Sequence, residues 1–199
     1  MELELYLIRH GKTICNEKKL YCGSSDVSLS ENGIKELLEL KLKNQYPSCE
    51  KYYTTGLKRT IETLKIIYDD VEFEMIESLK EYNFGDFEMK SYEHLKENKD
   101  YIKWIMDSKG NFKCPNGENK IQYKNRVKEG FKSTIENSFK DGIKKLVIVS
   151  HGGTIGTIIE EFFDSSKSFY EHQPSCGKGY KLIIMKNEND FEIKEVLQI

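Results

Sequence analysis

The fold turns on the stretch Leu5-Tyr6-Leu7-Ile8-Arg9-His10-Gly11-Lys12-Thr13-Ile14-Cys15-Asn16. Four apolar residues in a row are too short for a buried helix and read as a strand. A run that is apolar on both faces suits the interior of a parallel sheet. In such sheets ligands sit beyond the carboxyl ends of the strands. Arg9 and His10 fall at that end, and Gly11 lets the backbone turn close to whatever binds there. Taken alone, Arg-His-Gly reads better as a strand end running into a solvated loop.

A second stretch, Lys145-Leu146-Val147-Ile148-Val149-Ser150-His151-Gly152-Gly153, repeats the plan. Four apolar residues are followed by one polar residue and then His-Gly. Two such strands lying side by side would set two imidazoles at one rim. Arginine usage points to the same rim. Lys plus Arg total 31, and only Arg9, Arg59 and Arg126 are arginines. Where lysine serves almost every generic positive charge, a retained arginine marks a place that needs a planar, bidentate fork. Carboxylate and phosphate match that fork.

Composition bounds the rest. A chain of 199 residues is read as one domain, 1–199, large enough to bury a core without staples. A net charge of −2 argues against nonspecific nucleic-acid binding. Five cysteines without a C-x-x-C pair suggest a reduced, cytoplasmic protein and no structural metal site. The acidic N-terminus has an apolar run too short for a signal peptide. No stretch approaches the roughly 18 apolar residues of a membrane helix.

Taken in order, Ser28-Leu29-Ser30-Glu31 fits a capping box opening a helix to about Asn44, with Ile34, Leu37, Leu38 and Leu42 at helical spacing. Lys51–Thr55 is expected as a second strand. Leu57, Ile61, Leu64 and Ile67 define the next helix, with Arg59 in its first turn, where a helix favours anions. Val71, Phe73 and Met75 alternate as a third strand. The segment Glu77–Glu88 is dense in aromatics and carboxylates. A carboxyl group among Tyr and Phe has its charged form disfavoured, which is how a general acid is made near neutral pH. Composition leaves this reading level with that of an acidic surface loop. Residues 91–108 form an expected helix around Tyr92, Leu95, Ile102 and Ile105. A longer one follows with Ile121, Val127, Phe131 and Ile135 inward. Residues 82–118 are read as a small helical lobe inserted over the site. The last strands, Gly179–Met185 and Phe191–Leu197, suggest an edge hairpin. The expected class is α/β, a mainly parallel sheet flanked by helices on both faces.

The rim then holds two arginines, two histidines, Asn16 and a carboxylic acid. No Walker-type glycine loop and no convincing metal set accompany them. Such a rim suits a dianionic phosphate, and a neutral imidazole beside it is a competent nucleophile. Arg9, Arg59 and His151 could neutralise the equatorial oxygens without magnesium or any cofactor.

These motifs resemble those of the histidine phosphatase superfamily, the phosphoglycerate-mutase-like proteins. Leu-Ile-Arg-His-Gly-Lys-Thr-x-x-Asn is similar to the family signature. Thr55–Thr63 resembles the second arginine block, Glu81–Glu88 the acid loop, Val149–Gly153 the second histidine, and Pro115-Asn116-Gly117-Glu118 the turn before the helix that carries Arg126. The resemblance implies that His10 is the nucleophile that becomes phosphohistidine. It implies that Arg9, Arg59 and His151 clamp the phosphoryl group, with Asn16 and the Gly152 amide assisting. It also implies that Glu81 is the proton donor, and that Gly23 lies beside the phosphate.

The chain departs from the family pattern at Ser28 for the usual proline, Met89 for glycine, Asn119 for serine and Cys22 near the phosphate. These positions concern substrate fit more than chemistry. Three readings follow: a phosphomonoesterase acting on a small phosphate ester, a phosphoglycerate mutase, and a non-catalytic phospho-ligand module. Residues 82–125 contain lysines but no arginine, unlike the lobe of the mutases, which favours hydrolysis. An intact nucleophile and acid disfavour the pure binding module. The acid loop and Gln173–Tyr180 are also similar to those of α-ribazole phosphatases of cobalamin synthesis, which makes α-ribazole 5′-phosphate a candidate substrate. His94 and His172 are read as ordinary surface or packing histidines.

Overall fold

A computed structural model describes residues 1–43, 46–188 and 190–199. Strand β1 (Glu2–Arg9) sorts its side chains by period two. Leu3, Leu5 and Leu7 enter one buried cluster with Leu146 and Ile148 of β4 (Lys145–Ser150). Tyr6 and Ile8 enter another with Val147 and Val149. Both strands are thus buried on two sides, as an apolar run without alternation requires. The full sheet adds β2 (Lys51–Thr54), β3 (Glu74–Met75), β5 (Gly179–Lys186) and β6 (Phe191–Gln198), in the order β3-β2-β4-β1-β5-β6. Pairings β1–β4, β2–β4 and β2–β3 are parallel, and β5 and β6 close one edge as an antiparallel hairpin.

Helices cover both faces. On the first lie α6 (Lys120–Lys140), through Val127, Phe131 and Ile135, and α7 (Gly152–Phe162), through Ile155, Ile158 and Ile159. On the second lie α2 (Glu31–Leu42), through Leu37, and α3 (Lys58–Tyr68), through Leu64 and Ile67. A single turn, α1 (Ile14–Glu17), follows β1. Two short helices, α4 (Tyr92–Leu95) and α5 (Lys99–Met106), lie within residues 82–118. Phe87, Tyr101 and Trp104 of that segment join the first buried cluster. No helix among the described residues is long and apolar enough to cross a membrane.

The structure corrects several local expectations. Ser30, not Ser28, caps α2: its hydroxyl accepts the Gly33 N–H at 3.1 Å, so Glu31 is the first helical residue. The expected end at Asn44 lies outside the described residues. Of Ile34, Leu37, Leu38 and Leu42 only Leu37 is buried; the other three are exposed. The third strand shrinks to Glu74–Met75 at the open edge of the sheet, where Met75 faces solvent. The helix expected over 91–108 is broken, because the Asn98 side chain accepts the N–H groups of Asp100 and Tyr101 and starts a new helix there. Its inward residues are Leu95, Tyr101 and Trp104, while Tyr92, Ile102 and Ile105 are exposed. Ile121, in the first turn of α6, is also exposed.

Helix α2 seats on the turn after the first strand. A Cβ at Gly33 would lie 2.1 Å from the Lys12 carbonyl oxygen and within 3 Å of two further Lys12 backbone atoms. Glycine to alanine in an open helix stabilises by ~0.5–1 kcal/mol. Here the backbone cannot yield so easily, and Gly33→Ala is expected to cost about 1–3 kcal/mol in urea unfolding, as overpacking does. Unchanged or raised stability would mean that α2 is not seated on Lys12.

Candidate active site

The parallel register places Arg9 opposite Ser150, so the next residues, His10 and His151, leave the sheet together. Their ring centroids are 5.3 Å apart and their planes meet at 65°. The His10 N–H donates to the Ser150 carbonyl at 3.0 Å, which fixes the turn. Both rings are buried, His10 retaining 6% exposure and His151 none.

His10 Nδ1 lies 2.7 Å from the Gly11 carbonyl oxygen. A carbonyl only accepts, so the ring proton sits on Nδ1 and Nε2 keeps its lone pair. His151 pairs Nε2 with the Thr55 hydroxyl at 2.8 Å and leaves Nδ1 buried without a partner. Burial, then the Arg59 guanidinium, hold both imidazoles well below the usual histidine range. Arg9 adds to this at both rings, and the Gly11 hydrogen bond opposes it only at His10.

Arg59 comes from the first turn of α3 and is 1% exposed. Its terminal nitrogens donate to the carbonyls of Ser25, at 2.8 Å, and Gly23, at 2.6 Å. One turn later Thr63 donates to the Arg59 carbonyl and accepts the Gly11 N–H at 2.9 Å, which ties α3 to the turn after β1. Arg9 donates one terminal nitrogen to the Pro174 carbonyl at 2.8 Å. Its guanidinium lies against Gly152, where a Cβ would come within 2.8 Å of Cζ. Asn16 forms a capping box with Thr13: its Oδ1 accepts the Thr13 N–H, which leaves the amide NH₂ as its free-facing donor.

Among the described residues, five buried side-chain polar atoms lack a partner, and three are Arg9 Nε, Arg59 Nε and His151 Nδ1. Buried polar atoms are normally satisfied. Three left open around one imidazole, at the amino end of α7, form a receptor for an anion.

The loop's competing carboxylates separate cleanly. Glu88 accepts the N–H groups of Gly23, Ser24, Ser25 and Phe84, so it builds the loop. Asp86 is exposed and accepts from Asn116, and Glu77 pairs with Lys80 in solvent. Glu81 alone of the four lines a cavity of about 270 Å³, with Arg9, Asn16, Cys22 and Gly153. Tyr21, Tyr82, Phe84, Trp104, Tyr123, Phe169 and Tyr170 form its aromatic walls. His10, Arg59 and His151 do not line this cavity; Arg9 and Glu81 connect it to them. Gly23 is held between Glu88 and Arg59. Its N–H is taken by Glu88, and its carbonyl holds Arg59.

Other functional residues escaped the sequence reading. Arg126 donates to the carbonyls of Ser78, Lys80 and Glu81 and pairs with Glu118 at 2.7 Å, which fixes the acid loop. Its rarity as an arginine was a signal. Thr55, which orients His151, and Tyr123, which reaches Glu81, carried none. His172 is a buried packing residue whose Nε2 contacts the Asp164 carbonyl, and His94 caps α4 with Ser91. No group of three or more metal-ligating side chains occurs among the described residues.

Comparison with known proteins agrees with this geometry. The chain belongs to the histidine phosphatase superfamily, branch 1, whose family model matches residues 5–192. It is a phosphatase of that superfamily. It is 30% identical over 161 residues to the adenosylcobalamin/α-ribazole phosphatase of Salmonella typhimurium, covering 79% of this chain and 78% of that protein. Its fold is similar to an α-ribazole phosphatase from Shigella flexneri, with a TM-score of 0.79, 25% identity, and 96% and 95% of the two chains covered. It is also similar in fold to a phosphoglycerate mutase from Bacillus anthracis, with a TM-score of 0.79 at 22% identity over 98% and 92%.

Neutral, buried imidazoles make stability depend on pH. Below about pH 6.5 the unfolded chain protonates both histidines and the folded chain does not. The unfolded state then binds more protons, so stability falls as pH falls; above that pH both states are neutral and the term vanishes. Between pH 7 and 5.5 the unfolding free energy of the native protein should drop by roughly 2 kcal/mol more than that of a His10→Asn/His151→Asn double variant. Equal drops would mean that the imidazoles are not held neutral.

Proposed function

We propose that the chain hydrolyses phosphomonoesters through a phosphohistidine on His10, with a leaving group that carries an aromatic ring. The observation that carries this reading is the set of three unpartnered buried nitrogens, Arg9 Nε, Arg59 Nε and His151 Nδ1, around an imidazole whose Nε2 is free.

In the first step Nε2 of His10 attacks phosphorus while the ring proton stays on Nδ1, against the Gly11 carbonyl. The two guanidiniums and His151 neutralise the equatorial oxygens, helped by the Asn16 amide and the N–H of Gly152 at the start of α7. Phosphoryl transfer asks for little beyond this positioning and neutralisation. Glu81, at the junction of receptor and cavity, is then suited to protonate the leaving oxygen. In the second step water attacks the phosphohistidine and Glu81 takes the proton back.

Leaving-group preference follows from the cavity walls. Seven aromatic side chains line it, and rings gain ~0.5–1.5 kcal/mol per good aromatic contact beyond area burial. Residues 82–118 act in this reading as a lobe over the site, contributing Tyr82, Phe84 and Trp104. A mutase must instead hold a carboxylate in that space. Of the two lysines lining it, Lys124 is already paired with Glu160 and Glu161. α-Ribazole 5′-phosphate, an aromatic riboside ester, is the first substrate to test, and a cytoplasmic setting suits it.

With a chelator present, the purified protein is expected to release phosphate from α-ribazole 5′-phosphate with a kcat/KM about tenfold or more above that for glycerol phosphate. It should not isomerise 3-phosphoglycerate. Isomerisation outpacing hydrolysis would favour the mutase reading. Activity restored only by added magnesium would overturn the phosphohistidine route.

A further inference from the structure

Glu81 is not simply a carboxyl group at the cavity wall. Its Oε1 accepts two hydrogen bonds, from the Tyr82 N–H at 3.0 Å and from the Tyr123 hydroxyl at 2.8 Å. Its Oε2 accepts one, from the Gly153 N–H at 2.8 Å. A carboxyl oxygen has two lone-pair directions. Those of Oε1 are both filled, and Oε2 has room for a proton.

Tyr123 is well placed to enforce this asymmetry. It projects from the first turns of α6, is 4% exposed, and cannot turn freely. The Tyr82 ring packs at 5.1 Å between centroids, and the Arg126 guanidinium lies 5.3 Å from the Tyr123 ring. The Thr154 hydroxyl stands 3.1 Å from the phenol oxygen and itself reaches the Lys80 carbonyl. Burial and the neighbouring Glu81 push the Tyr123 phenol well above its ordinary range, so it stays a neutral donor. Arg126 also grips the carbonyls of Lys80 and Glu81, so the same arginine supports both the acid's backbone and its hydroxyl partner.

We infer that Tyr123 is a positioning residue for the general acid, whose hydroxyl, with the Tyr82 amide, fills Oε1 of Glu81 and thereby assigns the transferable proton to Oε2. This rests on the reading of Glu81 as the proton donor. As the P–O bond to the leaving group breaks and the His10 N–P bond forms, the Oε2 proton passes to the leaving oxygen. Glu81 is left as a carboxylate whose charge is shared by the Tyr123 O–H, the Tyr82 N–H and the Gly153 N–H. Without the phenol, Oε1 offers a second seat for the proton, turned toward the protein.

The test compares an alkyl phosphate, whose leaving group needs a proton, with an aryl phosphate whose leaving group does not. Tyr123→Phe keeps the ring and removes only the hydroxyl. It is expected to lower kcat/KM, which reads the phosphorylation step alone, about tenfold on the alkyl substrate, the size of one hydrogen bond to a charged group. The aryl substrate should change less than about twofold. In a Glu81→Gln background, adding Tyr123→Phe should change nothing further, because the two residues act through one proton. Equal losses on both substrates, or additive losses in the double variant, would reduce Tyr123 to a packing role. An unaffected Tyr123→Phe beside a leaving-group-dependent Glu81→Gln overturns this inference alone. If Glu81→Gln itself loses equally on both substrates, the acid assignment falls, and the inference falls with it.

Discussion

Everything at the rim depends on the register between two parallel strands. With Arg9 opposite Ser150, the chain places His10 and His151 side by side and turns both strands into loops at the same level. A slip of one residue would send every side chain of β1 to the opposite face, burying Tyr6 and Ile8 where Leu5 and Leu7 now pack. The register is pinned from both sides because both faces are apolar. Core packing and catalytic geometry are therefore one constraint: the leucines and valines that make the sheet also set the spacing of the imidazoles.

That spacing puts two guanidiniums next to two imidazoles. Burial and the two arginines keep both rings neutral. For His10 this is the reactive state, because the Gly11 carbonyl holds the proton on Nδ1 and leaves Nε2 open. The arginines are held by carbonyl oxygens, which anchor them without neutralising them: Ser25 and Gly23 for Arg59, Pro174 for Arg9. Lysine offers no flat fork that could hold a loop and still keep an open N–H for a ligand. This accounts for the choice of arginine in a chain of lysines.

Much of this was legible in the sequence, and what failed did so for identifiable reasons. The two apolar runs ending in Arg-His-Gly and Ser-His-Gly carried the strands, their burial and the rim, since length and lack of alternation decide those features. Helix faces were less secure. Ile34, Leu38, Leu42, Ile102 and Ile105 have helical spacing yet face solvent, whereas Tyr101 and Trp104 carry the packing of α5. Periodicity gives a stripe, not the side on which the sheet lies. The break at Asn98 and the cap at Ser30 were hidden because a side-chain cap competes locally with a helix that the pattern alone would continue. Among Glu77, Glu81, Asp86 and Glu88, composition could not choose. The choice rests on remote partners: backbone amides at 23–25 for Glu88, and Tyr123 and Gly153 for Glu81. Such pairings over 40 or more residues leave no local trace.

The central claim is that His10 Nε2 takes the phosphoryl group within a receptor built from Arg9, Arg59 and His151. Rapid mixing with a ³²P-labelled aryl phosphate, an alkaline quench and peptide mapping test it most directly. The account predicts an acid-labile, alkali-stable label on the peptide containing His10, formed within one turnover and absent from His10→Ala, which is itself inactive. Label on another side chain, or turnover retained in His10→Ala, would contradict it.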